Sequence, residues 1–183
     1  MSNHDVVRHA TRYALPQVPT GEYHRLPLDW LLRDGTTYRE DRALGTKRAR
    51  AAIMMEMALP GSAYVYQGEE LGLFEVADIP WDELEDPSAW RTSRSASTKG
   101  RDGCRVPLPW VAADAPQLDD PNDEFGHGGS FGFSPADAKA EPHLPQPKWY
   151  KDFAVDVESA DPDSMLNLYA ACWHCDMSCR PPT

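Results

Sequence analysis

Hydrophobic and polar positions along the chain predict helices separated by one short strand. Apolar side chains recur at helical spacing among strong helix formers over residues 46–59, and Pro60-Gly61 ends that segment. Residues 63–66 are apolar and β-prone between two glycines, which is typical of a buried strand. Because a helix, a sharp turn and a buried strand follow one another, the pattern indicates an α/β class with a parallel sheet.

The rest of the chain has less periodicity. Prolines and glycines are concentrated in residues 67–146, which we expect to form a long loop. Its aromatic side chains favour a loop that packs on the protein; they are Trp81, Trp90, Trp110, Phe131 and Phe133. A further helix begins near Ser164 and should end within about two turns.

Composition narrows the functional classes. A chain of 183 residues with 41% hydrophobic residues can bury a core, so we expect one folded unit. Its net charge of -11 argues against nucleic acid as a partner, because no basic surface would neutralise phosphates. No apolar run approaches the ~20 residues of a membrane span, and the N-terminus lacks a secretory pattern. We therefore expect no membrane contact and a cytoplasmic location.

The last fifteen residues are rich in cysteine. Cys172, His174, Cys175 and Cys179 are four candidate zinc ligands, but their spacing is too tight for a tetrahedral site without other segments. Alternatively, reading the codons for residues 171–177 one base earlier gives a sequence that continues the helix begun at Ser164. Our hypothesis is that residues 170–183 are a frameshifted tail, and sequencing of the coding DNA tests it.

Two pairs of residues are candidates for chemistry. His4-Asp5 by itself is compatible with a metal-binding pair, an acid/base dyad or a polar cap at a strand end. Arg101 and Arg105 by themselves are compatible with loop arginines that bind nearby acidic residues. Residues 67–70, QGEE, favour a structural role in which the glycine permits a turn and a glutamate binds loop amides.

The string SNHDVVRHATRY, residues 2–13, resembles a segment of the α-amylase superfamily, glycoside hydrolase family 13, in its α-glucosidase and oligo-1,6-glucosidase branch. Other segments are similar to that family in the expected order: residues 58–73, 100–110, 144–150 and 161–169. The resemblance implies a fragment of a (β/α)8 TIM barrel, from the end of strand seven to a truncated helix eight. Residues 1–169 would be this portion of the catalytic barrel.

The resemblance also implies roles for the candidate residues. Asp5 corresponds to the carboxylate that stabilises the transition state, and His4 to a residue that hydrogen-bonds the same sugar. One of Arg101 and Arg105 would help to hold the terminal sugar through an aspartate of an early barrel strand, and we favour Arg101. The nucleophile and the acid/base residue belong to strands four and five. No cofactor and no metal are implied.

From this we expect a piece of an α-glucosidase that cleaves α-glucosidic bonds of oligosaccharides with retention, inactive by itself. The isolated chain should be poorly folded, aggregation-prone or dependent on a partner, for which the N-terminal part of the barrel is the candidate. Two alternatives stay open: a non-catalytic carbohydrate-binding module, and a small zinc-binding protein. Linkage specificity, and the choice between hydrolase, transglycosylase and isomerase, are not encoded in these segments.

Overall fold

A computed structural model describes residues 1–17, 25–91 and 98–179, with the backbone alone at residue 91 and at residues 175–179. The regular elements in these ranges are helices. They are α1 (His9–Ala14), α2 (Arg25–Leu32), α3 (Arg42–Ala58), α4 (Pro87–Arg91), α5 (Val155–Ala160) and α6 (Met165–Cys179). Segments of 3-10 helix occupy Trp81–Glu83, Asp102–Cys104, Ala112–Asp114 and Lys148–Phe153.

The helix predicted at residues 46–59 is α3, which begins four residues earlier than its apolar pattern does. Asp41 precedes it, and the Oδ1 atom of Asp41 accepts a hydrogen bond from the amide of Leu44 at 3.0 Å. This side-chain cap satisfies one of the free amides of the first turn, so the helix extends back to Arg42. Sequence periodicity therefore located the helix, whereas a capping residue set its start.

One face of α3 packs closely on α1. Its buried residues, Gly45, Ala49 and Ile53, are spaced by four and lie on one side of the helix. A Cβ atom added at Gly45 would lie 2.7 Å from both the carbonyl oxygen of Ala10 and the Cβ of Ala14. Because no side chain fits there, the glycine is what allows the two helices to approach each other.

The strand predicted at residues 63–66 is not formed, and this prediction is wrong for the described structure. Tyr64 and Val65 are 80% and 40% exposed rather than buried. A parallel strand needs hydrogen bonds from neighbouring strands. In the ranges that the structure describes, β-pairing is limited to two isolated antiparallel bridges between loop residues. The apolar segment consequently stays extended and exposed.

The helix predicted near Ser164 begins there, but its predicted end is wrong. The hydroxyl of Ser164 accepts a hydrogen bond from the amide of Asn167 at 3.0 Å, as a capping serine does. The helical backbone of α6 then continues for fifteen residues to Cys179. Residues 165–179 contain neither proline nor glycine, so nothing local interrupts the helix. The C-x-x-C sequence lies within α6 instead of ending it.

The long loop is packed at its centre, as predicted. Phe131 is fully buried, whereas Trp90, Trp110 and Phe133 are each about half exposed. The buried cluster of the loop, which we call the loop core, consists of Leu71, Leu73, Val76, Ile79, Leu84, Ala89, Val106, Phe131, Leu144 and Tyr150. Residues 92–97 of the loop lie outside the described ranges.

Two further clusters join the helices to this loop. The first contains residues of α1, α3, α6 and the loop: Ala10, Ala14, Ala49, Ile53, Phe74, Met165 and Tyr169. The second contains Val7, Leu15, Leu26, Trp30, Leu31 and Ala77. Phe74 and Ala77 belong to the segment that also enters the loop core, so residues 71–79 connect all three clusters. No described helix is both long and apolar enough to cross a membrane.

Candidate active site

The Asn3-His4-Asp5 triplet forms an exposed turn directly before the buried Val7. The side chain of Asn3 accepts a hydrogen bond from the amide of Asp5 at 2.8 Å, the geometry of an Asx-turn. The Nε2 atom of His4 lies 3.2 Å from Oδ2 of Asp5, and the two side chains are 68% and 51% exposed. The turn thus presents an imidazole and a carboxylate side by side to solvent.

The structure brings the two candidate arginines to this turn from the middle of the long loop. Arg101 donates from Nη1 to Oδ1 of Asp5 at 2.7 Å. Arg105 donates from Nε and Nη2 to the carbonyl oxygen of His4 at 3.0 and 2.8 Å. Its Nη2 is also 3.5 Å from Oδ1 of Asp5. All four residues singled out from the sequence therefore meet at one place.

The charges at this place keep Asp5 ionised. The hydrogen bond from Arg101 lowers the pKa of Asp5 below its ordinary value, and the positive charges of Arg101 and Arg105 act in the same direction. An acid with a lowered pKa is a poor proton donor near neutral pH. The arrangement suits a carboxylate that stabilises positive charge, with Oδ1 bound by arginine and Oδ2 beside the imidazole.

A second carboxylate, Asp86, holds Arg101 from the opposite side. Arg101 donates from Nε to Oδ2 of Asp86 at 2.6 Å and from Nη2 to Oδ1 at 3.3 Å. The Asp86 side chain is buried, and the arginine holds the pKa of that carboxyl far below its usual range. In the described structure Arg101 is thus bound by two aspartates of this chain, Asp5 and Asp86. The predicted contact with an aspartate of an early barrel strand stays a prediction.

The sequence analysis missed Asp86, although one signal was present. An aspartate directly before Pro87 is a typical helix cap, and Oδ1 of Asp86 accepts a hydrogen bond from the amide of Ser88 at 2.9 Å. That pattern predicts the cap at the start of α4. It does not predict the arginine, which comes from a segment fifteen residues further along the chain.

Arg8 is buried, with 1% exposure, and stabilises the segments that carry the candidate site. Its guanidinium donates to the carbonyl oxygens of Gln67 at 3.0 Å and Cys104 at 2.9 Å, and its carbon lies 5.3 Å from the ring centre of Tyr66. Its amide donates to Oε2 of Glu75 at 2.7 Å. One buried side chain therefore joins the triplet, residues 66–67 and the turn that carries the two arginines.

Glu75 lies beneath that same turn. Its side chain is buried, and burial raises the pKa of Glu75 to about 7, although the amide of Arg8 donates to it. A Cβ atom at Gly103 would lie 2.7 Å from Oε1 of Glu75. The carbonyl oxygen of Val76 would lie closer still, at 2.4 Å, so this backbone oxygen and the Glu75 carboxyl group together leave room for a glycine only. The turn between Arg101 and Arg105 therefore packs directly against Glu75.

Residues 67–70 have the predicted structural role. Gly68 adopts φ +83°, in the region that favours glycine. The Oε2 atom of Glu69 accepts a hydrogen bond from the amide of Ser2 at 3.2 Å, and Oε1 accepts one from the hydroxyl of Tyr169 at 3.1 Å. Burial raises the pKa of Glu69 and lowers that of the adjacent His9 to about 3. This cluster connects the start of the chain to α6.

Among the described side chains, no group of three or more histidine, cysteine, aspartate or glutamate residues is arranged to hold a metal ion. Cys104 is buried and Cys172 is partly exposed. The side chains of Cys175 and Cys179, on which the zinc alternative depends, lie outside the described part of the chain. Residues 180–183 of the proposed frameshifted tail lie outside it as well.

Comparison with known proteins gives the same family as the resemblance of the sequence segments. Residues 31–175 match the catalytic domain of α-amylase. A probable α-glucosidase of Rhizobium meliloti is 30% identical over 168 residues, which cover 92% of this chain and 22% of that protein. The salivary α-glucosidase of Aedes aegypti is 28% identical over 77% of this chain and 21% of its own length. The chain belongs to the α-amylase catalytic-domain family, glycoside hydrolase family 13, and its relatives lie in the α-glucosidase branch.

Solved structures agree on the fold. The α-glucosyl transfer enzyme XgtA is 31% identical, with a TM-score of 0.59 over 97% of this chain and 24% of its own. The trehalose-6-phosphate hydrolase of Bacillus licheniformis, at 21% identity and a TM-score of 0.57, is similar over 97% of this chain and 27% of its own. These are (β/α)8-barrel enzymes, so the chain matches part of such a barrel. It spans about a quarter of their length.

Proposed function

We propose that the chain supplies one wall of the active site of a retaining α-glucosidase, formed by the region from the end of barrel strand seven to helix eight. One observation carries this proposal. The exposed Asp5 carboxylate is kept ionised by Arg101 and has the imidazole of His4 at its other oxygen. Similarity to α-glucosidases over most of the chain supports the assignment.

In this proposal Asp5 stabilises positive charge that develops on the sugar. Retaining glycosidases pass through an oxocarbenium-like transition state and use two carboxyl groups, one nucleophilic and one acid/base. Asp5 is neither of these. It is an additional carboxylate whose negative charge is fixed before the reaction, and such preorganised charge lowers the barrier without rearrangement. His4 donates a hydrogen bond to a hydroxyl of the same sugar, and Arg101 or Arg105 helps to hold the terminal glucose unit.

The nucleophile and the acid/base residue would come from another segment of the barrel, which is the proposed partner. Exposed Tyr64 and Val65 support this part of the proposal, because an apolar extended segment is a surface for strand pairing. The three buried clusters favour a chain that is aggregation-prone or partner-dependent over one that is wholly unfolded. We retain residues 170–183 as a proposed frameshifted tail, and the cytoplasm as the proposed location.

Hydrolysis of an aryl α-glucoside tests the proposal. The purified chain alone should give no turnover, whereas the chain mixed with the preceding barrel segment of the Rhizobium relative should give measurable turnover. In that mixture Asp5→Asn should reduce turnover by about a hundredfold or more, because a preorganised charge is lost. The control is Asp82→Asn, which removes an exposed carboxylate of the loop.

Four results would decide against the proposed function. Turnover by the chain alone would show that it needs no partner. Unchanged turnover of the Asp5→Asn mixture would remove Asp5 from the mechanism. Sugar-dependent stabilisation of a cooperatively unfolding chain, without turnover in any mixture, would favour the carbohydrate-binding alternative. Stoichiometric zinc in the purified chain would favour the zinc-binding alternative.

A further inference from the structure

The Arg101 side chain is held by carboxylates on two sides. Its Nε and Nη2 atoms face Asp86, at 2.6 and 3.3 Å from the two carboxylate oxygens. Its Nη1 atom faces Asp5 at 2.7 Å. A guanidinium group is planar and its donors form a rigid fork, so fixing one edge also fixes the direction of the remaining donor. The direction of Nη1 toward Asp5 therefore depends on Asp86.

Asp86 is itself fixed in position. Its side chain is fully buried, and it accepts hydrogen bonds from the amides of Ser88 at 2.9 Å and Arg101 at 3.0 Å. Its own amide donates to the buried carboxylate of Asp102 at 2.8 Å. With both oxygens and the backbone engaged, Asp86 cannot follow a moving arginine. Arg101 is held on a rigid support although its side chain is 40% exposed.

Arg105 does not provide the same support. Its two close hydrogen bonds go to the carbonyl oxygen of His4, and its contact with Asp5 is 3.5 Å. The short contact to the Asp5 carboxylate comes from Arg101. The groups that face Asp5 are therefore His4 and the two arginines, and only Arg101 has a buried anion behind it in the described structure.

We propose that Asp86 is a positioning residue of this site: it holds the Arg101 guanidinium so that Nη1 binds Oδ1 of Asp5, while Oδ2 stays beside the His4 imidazole. Its importance for catalysis rests on the proposed function of Asp5. The geometric claim itself, that Asp86 determines the contact between Arg101 and Asp5, stands without it. Asp86 is not placed in contact with substrate.

Titration of the Asp5 carboxyl by NMR tests the claim, because charge and position predict opposite signs. If Asp86 acted only as a nearby negative charge, Asp86→Asn would lower the pKa of Asp5. If Asp86 positions Arg101, the substitution releases the arginine and the pKa of Asp5 rises. We expect a rise of about half a unit or more, since a close opposite charge shifts a carboxyl by about 1 to 3 units. This is roughly a threefold change in the ionisation equilibrium.

The matched control is Glu85→Gln, which removes the same charge from the neighbouring exposed position and should not raise the pKa of Asp5. If Asp86→Asn disturbs folding, Arg101→Lys gives the same test, because lysine keeps the charge but has no fork to bridge two carboxylates. It too should raise the pKa of Asp5. Titrations are made on the full chain, alone and with the complementing barrel segment.

An unchanged or lowered pKa of Asp5 in a folded Asp86→Asn chain overturns the proposal. If Asp86→Asn does not fold, an unchanged pKa of Asp5 in Arg101→Lys overturns it. So does an ordinary Asp5 pKa in the unsubstituted chain, since the contact would then not exist. None of these results depends on sugar or turnover. If the Asp5 pKa shifts as expected but no mixture gives turnover, the proposed function fails and the positioning role of Asp86 stands. The two failures are therefore distinguishable.

Discussion

The guanidinium of Arg101 donates to the carboxylate of Asp5 at 2.7 Å although the two residues are 96 positions apart in the chain. A contact between such distant residues depends on everything that folds between them. Here that includes the buried Arg8 and Glu75, which hold the arginine-bearing turn against the start of the chain.

The two arginines should have different effects on the turn that they hold. Arg101→Met should raise the pKa of Asp5 more than Arg105→Met does, because Arg101 makes the short contact to the carboxylate. Arg105→Met should instead speed amide hydrogen exchange in residues 4–6, since Arg105 binds the carbonyl of His4. Both are measured by NMR on the same samples. Equal effects of the two substitutions on the Asp5 pKa would contradict the assignment.

Arg8→Met should strongly destabilise the fold. Methionine fills much of the space but leaves the carbonyl oxygens of Gln67 and Cys104 without their donor. Each buried unsatisfied group costs about 1 to 3 kcal/mol, so the free energy of unfolding should fall by about 3 kcal/mol. Urea unfolding measures this, with Arg39→Met at an exposed position as the control. A loss below about 1 kcal/mol would mean that water replaces the guanidinium.

Glu75 should make stability depend on pH. Its pKa is about 7 in the folded protein against an ordinary value of 4.5, so the folded state binds the proton more tightly. Its contribution to stability therefore falls as pH rises from 4.5 to about 7 and is constant above that. Glutamine at residue 75 cannot ionise. As pH rises from 4.5 to 8, the free energy of unfolding of Glu75→Gln should therefore increase by about 3 kcal/mol relative to that of the original chain.

Urea unfolding at several pH values measures the Glu75 effect as a difference between variant and original chain, which cancels the other titrating groups. Among these is His9, whose pKa is lowered to about 3; its contribution is complete above its ordinary pKa and is lost as pH falls through the range from 6.5 to about 3. Glu83→Gln, at an exposed position of the loop, is the matched control. Parallel curves for Glu75→Gln and the original chain would refute a buried carboxyl at residue 75.

Gly45→Ala should destabilise the protein, against the trend for helices. Helix propensity alone predicts a gain of about 1 kcal/mol on replacing glycine by alanine. The new Cβ would lie 2.7 Å from the backbone oxygen of Ala10, and overpacking of this kind costs about 1 to 3 kcal/mol. Thermal unfolding distinguishes the signs. The control is Ala51→Gly on the exposed side of α3. This substitution should lower the free energy of unfolding by about 1 kcal/mol.

The sequence predicted helices better than it predicted the strand. The helical periodicity of residues 46–59 and the capping Ser164 are local signals, so α3 and the start of α6 were located correctly. Residues 63–66 carry an equally clear pattern of β-formers. A strand, however, depends on hydrogen bonds from other segments, and those lie outside what a local pattern encodes. The predicted end of α6 was too early. The cysteine-rich composition after residue 170 suggested a break, but residues 165–179 contain no proline or glycine that would end a helix.

The candidate site was predicted through similarity to a family, and its support was not. The segments that resemble α-glucosidases carry all four candidate residues, His4, Asp5, Arg101 and Arg105. In the structure these residues lie next to one another. The buried ionic groups behind them have no local pattern. For example, the sequence around Asp86 predicts only a helix cap. Its pairing with Arg101 depends on how the loop folds back on itself, which the spacing of residues does not reveal.

The separation of Asp5 from Arg101 along the chain has a consequence for recombination. In a chimaera with an α-glucosidase of the same family, a crossover between residues 9 and 100 would take the acidic turn from one parent and its arginines from the other. The contact at 2.7 Å would then join side chains that had been fitted to different surroundings. Libraries that keep both segments from one parent should yield more working enzymes than those that divide them.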